Sequence, residues 1–300
     1  MEADKEASRS LRVTLIAGAT ASGKSGLALR MAERQGGLIV NADSMQVYAE
    51  LRILTARPTA QDETRAPHRL YGIRSAREAY SVADWLRDVA PLVAAARQGG
   101  PPLIIVGGTG LYFKALLEGL SPVPDIPDVV RRHWRAEAVA LGPVRLHAEL
   151  ARRDPLTAQK LRPSDPQRIV RALEVLEGTG RPLSEWHQVA GQPVLRESEA
   201  VKLYVTLPRA DLYARCDARL DRMVEAGALD EVRGLSSLNL PADRPATRAL
   251  GVEALMAHLG GHIGLEAALE QAKIDTRRYA KRQLTWARRN MLSWTPYSEK

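Results

Sequence analysis

Gly18-Ala19-Thr20-Ala21-Ser22-Gly23-Lys24-Ser25 is the stretch whose reading decides the fold. It fits G-x-x-x-x-G-K-[ST], the loop that cradles phosphate groups. The apolar run from Leu11 to Ala17 precedes it and reads as a buried strand, while Leu27, Ala28, Leu29 and Met31 follow it at the spacing of a helix. The glycines let successive backbone N–H groups turn toward one anion, and the helix N-terminus adds partial positive charge. Lys24 supplies a full charge, and the Ser25 hydroxyl is placed to ligate Mg²⁺. A plain glycine turn would account for the glycines but not for the Lys-Ser pair. The loop leaves open which phosphate is held, and whether it is transferred, hydrolysed or released.

Working outward, Leu38-Ile39-Val40-Asn41-Ala42 reads as a second buried strand ending at Asp43. An irregular stretch follows through Pro58, Pro67 and His68. Ser81-Val82-Ala83-Asp84 is a capping-box start, and Val82, Trp85, Val89, Leu92, Val93 and Ala96 recur at helical spacing behind it. Leu103-Ile104-Ile105-Val106 is a third strand, running into Gly107-Gly108-Thr109-Gly110. This is the βαβ rhythm of a parallel sheet. The rhythm stops near Gly119. Ser121 to Pro127 reads as a rigid linker, Asp128 to Trp186 as helical with breaks at Gly142-Pro143, Asp154-Pro155 and Pro163, and Gly191 to Ala200 as a polar linker. Val201 to Leu207 alternates like a strand that rejoins the sheet, and helices are expected to fill the rest. The expected class is α/β, a P-loop NTPase-like parallel sheet covered by helices with an inserted small all-helical domain. Its parts are a flexible tail at 1–10, a core at 11–120 and 201–300, and an insertion at 121–200.

The bulk composition bounds the rest. Across 300 residues, 45% hydrophobic content suits a globular core, and a formal charge of +8 makes a polyanionic partner plausible. One cysteine, Cys216, excludes a disulfide framework and a Cys-rich zinc site. The histidines show no metal-ligand spacing. No run approaches a membrane span, and Met1 to Ser10 has no signal-peptide core, so a cytoplasmic protein is expected; the expected state is a monomer.

Asp43 sits at the C-terminal edge of its strand, the edge where parallel sheets bind ligands. A metal-ligating acid, a general base and a simple turn cap are all open for it. Ser44 and Gln46 are able to hydrogen-bond a polar substrate. Thr109 brings a hydroxyl to the same edge. The third strand does not end in an acid, which argues against an ATPase with its hydrolytic acid there. Near the C-terminus, Arg277, Arg278, Lys281, Arg282, Arg288 and Arg289 fall within an arc of roughly 140° on a helix, with Ala280, Leu284, Ala287 and Met291 opposite. A face so poor in acids points to a nucleic-acid backbone, with Tyr279 and Trp286 at its edge to pack or stack. In the insertion, Gln167, Arg168 and Arg171 form a polar, cationic patch at the start of a helix, which solubility alone would also explain.

Together these motifs resemble the tRNA dimethylallyltransferase family, also called tRNA isopentenyltransferases, in its bacterial form. The segments that carry the likeness are 18–25, Asp-Ser-Met-Gln-Val-Tyr (43–48), Thr-Ala-Arg-Pro (55–58), Pro-His-Arg-Leu (67–70), Tyr-Ser-Val-Ala-Asp-Trp (80–85), Gly-Gly-Thr-Gly-Leu-Tyr (107–112), Asp-Pro-Gln-Arg-Ile-Val-Arg-Ala-Leu-Glu-Val (165–175) and Tyr-Ala-Lys-Arg-Gln-Leu-Thr-Trp (279–286). The resemblance implies transfer of a dimethylallyl group from dimethylallyl diphosphate to N6 of adenosine 37 in the anticodon stem-loop of tRNA, with Mg²⁺ required and diphosphate released. It implies Asp43 as general base, Thr109 as a contact to diphosphate and adenosine, Arg219 as a diphosphate clamp, and Gly18 to Ser25 as the diphosphate cradle. It also matches Asp43, Ser44, Met45, Gln46, Thr109, Arg131, Gln167, Arg168, Ile169, Val170, Arg171, Arg278, Lys281, Arg282 and Arg288 to positions that touch tRNA. Three positions depart from the family pattern: Ala19 for Pro, Arg57 for Lys and Val252 for Tyr. A P-loop small-molecule kinase, an enzyme prenylating free AMP and a non-catalytic tRNA-binding protein are the rival readings. The first would not need the basic helix, the second would need neither the insertion nor the basic helix, and the third would not need an intact P-loop.

Overall fold

Val13–Gly18 forms β1, with all six residues buried, as expected of a strand covered on both faces of a parallel sheet. The computed structural model describes residues 13–241 and 243–298; Leu11, Arg12 and the tail assigned to 1–10 lie outside them. The chain continues through α1 (Lys24–Gln35), β2 (Leu38–Asn41), α2 (Ala60–Arg65), β3 (His68–Arg69), α3 (Val82–Arg97), β4 (Leu103–Gly107) and α4 (Gly110–Glu118). The capping box is formed: Asp84 N–H donates to Ser81 Oγ at 3.2 Å and Ser81 N–H to Asp84 Oδ2 at 2.9 Å.

The chain divides into two compact units, one from residues up to Leu117 together with Val194 onward, the other Glu118–Pro193. The second unit holds α5 (Asp128–Arg153), α6 (Pro155–Ala158), α7 (Pro166–Thr179) and α8 (Leu183–Trp186). Gly142, at φ 70°, breaks the helical path inside α5. Asp165 caps α7 by accepting from Arg168 N–H at 3.3 Å. Trp134, Leu146, Leu150, Ile169 and Leu173 are buried together as this unit's own core.

The first unit resumes earlier than the expected boundary at 200. Val194 and Leu195 N–H groups donate to Leu116 O at 3.0 and 3.1 Å, and Arg97 donates to Val194 O at 2.9 Å. Those bonds draw the polar linker from Val194 onward into the core unit. Then come β5 (Ala200–Val205), α9 (Arg209–Glu225), α10 (Ala228–Ser237), α11 (Val252–Leu259), α12 (Leu265–Asn290) and β6 (Thr295–Tyr297).

The six strands pair in the order β3-β2-β4-β1-β5-β6, all parallel. Alternate residues serve opposite faces: Leu15, Val40 and Ile105 join the core under α3, while Ile16, Ile39 and Ile104 pack with Leu27 and Ala28 of α1. α2 and the two outermost strands escaped the sequence reading. β3 has two residues and β6 three, too few for a periodic signal, and Pro296 is tolerated because β6 is an edge strand.

Register places the site. Ala17 lies opposite Gly107, and Gly18 opposite Val205. Asn41 lies opposite Val106. The P-loop, Asp43 and the Gly107–Gly110 turn therefore leave the sheet along one edge. Among the described residues no helix is long and apolar enough to cross a membrane.

Candidate active site

The P-loop turns through Ala21 at φ 62° and Gly23 at φ 93° before α1 begins. At Gly18 a Cβ would come within 2.6 Å of Ser22 Oγ, so this glycine makes room for the loop to fold back. Ser22 Oγ itself is buried without a hydrogen-bond partner. Lys24 Nζ donates to Ala19 O at 3.3 Å, across its own loop. Desolvation draws the Lys24 ammonium down to about 8, with the Asp43 carboxylate opposing that shift and the Arg219 charge reinforcing it. Arg219, on α9, donates to Thr20 Oγ1, and burial lowers its pKa too. Two desolvated cations thus converge on a loop of backbone N–H groups, an arrangement completed by an anion.

Asp43 is held by a neighbour the sequence reading did not single out. Asn41 is wholly buried at the end of β2. Its Oδ1 accepts from Asp43 N–H at 2.8 Å, and its Nδ2 donates to Asp43 O at 2.9 Å and Leu70 O at 3.0 Å. Trp85 Nε1 donates to Asn41 O at 2.7 Å. Asp43 Oδ1 accepts from Met45 N–H at 2.9 Å. One carboxylate oxygen therefore does cap a turn, while Oδ2 lies toward Gly108, where a Cβ would stand 3.4 Å away. Thr109 Oγ1 accepts from Ser44 N–H at 3.0 Å and donates to Ser44 Oγ at 3.3 Å. Gln46 donates its amide to Thr55 O and Ala56 O at 2.8 and 3.1 Å, which makes it a strut of the following loop. That loop is anchored by Glu231 of α10, whose carboxylate accepts from the Arg52, Ile53 and Leu54 N–H groups at 2.7, 2.7 and 2.9 Å.

Thr20, Asp43, Ser44, Met45 and Arg219 line one pocket of about 220 Å³, closed by Tyr279 and Arg282 of α12. A neighbouring pocket of about 240 Å³ is more apolar, lined by Gly18, Gly108, Thr109, Phe113, Tyr204 and Trp286, and it shares Tyr279 and Arg282.

The outer side of α12 exposes Lys281, Arg282, Arg288 and Arg289. Arg278, Lys281, Arg282, Thr285, Trp286 and Arg289 line an open groove there of about 550 Å³. One expectation needs correction. Arg277 does not belong to this cationic face, because its guanidinium pairs with Asp217 at 2.6 Å and Glu270 at 3.0 Å. Trp286 takes the first of the two roles expected of it and packs: Gly110 leaves the space its ring fills, and a Cβ there would lie 2.3 Å from it. Arg278 shares its charge with Asp275 at 3.4 Å, and Arg282 lies over the Tyr279 ring at 5.5 Å.

The IPP transferase family model matches residues 46–290. The chain belongs to the IPP transferase family. It is 52% identical to the tRNA dimethylallyltransferase of Azorhizobium caulinodans, covering 97% of this chain and 93% of that one. It is 50% identical to the enzyme of the same name from Parvibaculum lavamentivorans, over 96% and 91%. Among solved structures, the full-length tRNA isopentenylpyrophosphate transferase of Bacillus halodurans is 34% identical, with a TM-score of 0.66 over 95% of this chain and 89% of that one. A eukaryotic dimethylallyltransferase captured acting on tRNA is 26% identical, with a TM-score of 0.78 over 95% and 73%.

The residues around the P-loop offer few ligands of their own to a magnesium ion. Ser25 Oγ is exposed on the first turn of α1, and the described residues hold no cluster of three His, Cys, Asp or Glu side chains fit for a metal. One exposed hydroxyl at the start of α1 suits an ion held mostly by substrate phosphate oxygens and water, the regime Mg²⁺ favours.

The insertion's expected contacts divide. Gln167 and Arg168 are exposed and Arg171 is half-exposed, with Arg168 paired to Asp165 at 3.3 Å and Arg171 to Glu174 at 3.7 Å. Arg131 Nε is buried without a hydrogen-bond partner. Ile169 corrects the expectation: it is wholly buried in the unit's own core, and Val170 packs on that core, because helical spacing turns both away from the polar side.

Proposed function

We propose that the chain transfers a dimethylallyl group from dimethylallyl diphosphate to N6 of adenosine 37 in tRNA, releasing diphosphate. The single observation that supports this best is that Asp43 and the anion-binding group, Thr20 with Arg219, line one pocket. A base and a leaving-group cradle are thereby brought to the two ends of one reaction.

The P-loop amides, Lys24 and Arg219 bind the diphosphate and stabilise the charge that grows as the carbon–oxygen bond breaks. Asp43 accepts the proton that the adenine amine loses as its nitrogen bonds to the dimethylallyl carbon. The amine is too weak an acid to ionise beforehand, so proton removal accompanies attack. Thr109, tied to Ser44, orients groups at the junction of donor and acceptor. Mg²⁺, held at Ser25 and by the diphosphate, would neutralise further leaving-group charge. Tyr279 and Arg282 help wall the pocket from water. The base must leave its stack to reach Asp43, and the exposed cations of α12 are suited to hold the RNA backbone while it does.

Mass analysis of tRNA incubated with the protein, Mg²⁺ and dimethylallyl diphosphate tests the proposal. The expected result is one added dimethylallyl group on adenosine 37. Modification of free AMP in preference to an anticodon stem-loop, or transfer of a nucleotide γ-phosphate to a small acceptor, would overturn it.

A further inference from the structure

Gln283 sits on α12, in a stretch whose exposed side carries Lys281, Arg282 and Arg288. Its side chain reaches inward. Its Oε1 accepts from Thr20 N–H at 2.8 Å, and its Nε2 donates to Gly108 O at 2.9 Å. One carboxamide therefore spans the P-loop and the turn that follows β4. The sheet fixes where those two loops begin, with Ala17 opposite Gly107, but it does not fix where they go afterwards.

Gly108 is fitted to this contact. A Cβ there would lie 2.4 Å from Gln283 Nε2. The Gly108 backbone is not among the left-handed glycines, so its lack of a side chain serves space rather than conformation. Thr20 is gripped from a second side by Arg219, which donates to its Oγ1. The donor-side loop is thus tied through Gln283 to the turn that carries Thr109, and Thr109 in turn holds Ser44 beside Asp43.

We infer that Gln283 is a positioning residue that sets the gap between the diphosphate cradle and the Asp43–Thr109 side of the site. This rests on the proposed prenyl transfer. A displacement in which carbon and amine must approach within bonding range is sensitive to such a gap: an error of about 1 Å costs on the order of a hundredfold in rate. The carboxamide suits the task because it offers an acceptor to the N–H and a donor to the carbonyl at once. A carboxylate would keep the first bond and set a negative oxygen against the Gly108 carbonyl.

The experiment compares the parent protein with Gln283→Met, Gln283→Glu, Gly108→Ala and the double variant Gly108→Ala/Gln283→Ala. Turnover is read with tRNA and dimethylallyl diphosphate both saturating, tRNA affinity and the melting transition separately. The expected result is a fall in kcat of about tenfold to a hundredfold in Gln283→Met, Gln283→Glu and Gly108→Ala, with tRNA Kd within about twofold of the parent. The double variant should lose no more than the worse of its two singles, Gln283→Ala being measured alongside, because both changes break one contact. Unchanged kcat in Gln283→Met, losses confined to KM, or losses that multiply in the double variant would overturn the inference. Failure of the parent to modify tRNA would instead overturn the proposed function.

Discussion

Lys24 is the residue whose charge state the site controls most directly. Its pKa is lowered from the usual 10.5 to about 8 by desolvation. The folded protein therefore carries a strained ammonium below about 8, and that cost fades as pH rises and the proton leaves. A bound diphosphate reverses the preference, since an adjacent anion favours the charged form. Donor affinity is therefore expected to fall as pH rises through about 8, by up to about tenfold per pH unit until the bound-state pKa is reached. Titration of binding across that range, with proton uptake read by calorimetry in buffers of different ionisation heat, checks this; a flat profile would remove Lys24 from the cradle. Asp43 lends itself to a gentler change. Asp43→Asn keeps an acceptor for Met45 N–H, so the turn should survive while the base is lost. Turnover should drop about a hundredfold to ten-thousandfold, with tRNA affinity kept. Loss of both together would assign Asp43 to structure. The P-loop was readable from local pattern because phosphate binding demands a fixed spacing, and the place of Asp43 because it ends a continuous apolar run. Asn41 was not: a buried amide that serves Asp43 and Leu70 at once looks in sequence like any strand-terminal asparagine.

At the scale of elements, α12 joins two tasks on one helix. Its buried side carries Ala268, Ala272, Thr276, Ala280 and Ala287, small residues that let it pack closely. Its exposed side carries the cations. Periodicity exposed that division, but it could not show that Arg277 is turned to Asp217 and Glu270, since those partners lie on another helix and an earlier turn. Lys281 and Arg288 are the cleaner probes of the outer face, because Arg282 also closes the pocket. Reversal of either charge should weaken tRNA binding and reduce the magnitude of its salt slope by about one, while donor affinity stays put. An unchanged slope would give this face to solvent. Gln283 belongs to the same helix and was illegible for the same reason as Arg277: its partners are distant in sequence, and no periodicity marks a single inward amide.

For the whole molecule, the helical unit Glu118–Pro193 has a core of its own, with Trp134 at its centre. Trp134 Nε1 donates to Glu177 at 3.2 Å, and the Arg153 guanidinium lies 4.9 Å from its ring centroid. Trp134→Ala should cost that unit about 3–5 kcal/mol. If the unit serves tRNA rather than the donor, tRNA affinity should fall while dimethylallyl diphosphate affinity is kept. Loss of donor affinity in step with tRNA affinity would show that the two units do not divide the work. The βαβ rhythm and its interruption were visible in sequence because strands buried on both faces stand out as continuous apolar runs. The edge strands, and the attachment of residues 194–200 to the core, depended on pairings that no local window contains.

The bond from Thr20 to Gln283 spans 263 positions, and β1 finds its β5 partner only at residue 200 and beyond. A ribosome therefore delivers the phosphate loop long before its fastening at Gln283. A growing chain holds the motif long before it holds the cradle, and an early fragment should bind donor poorly however well its first strand and helix have formed. In a fold closed by such distant contacts, competence arrives late, with the synthesis of the helix that carries the exposed cations.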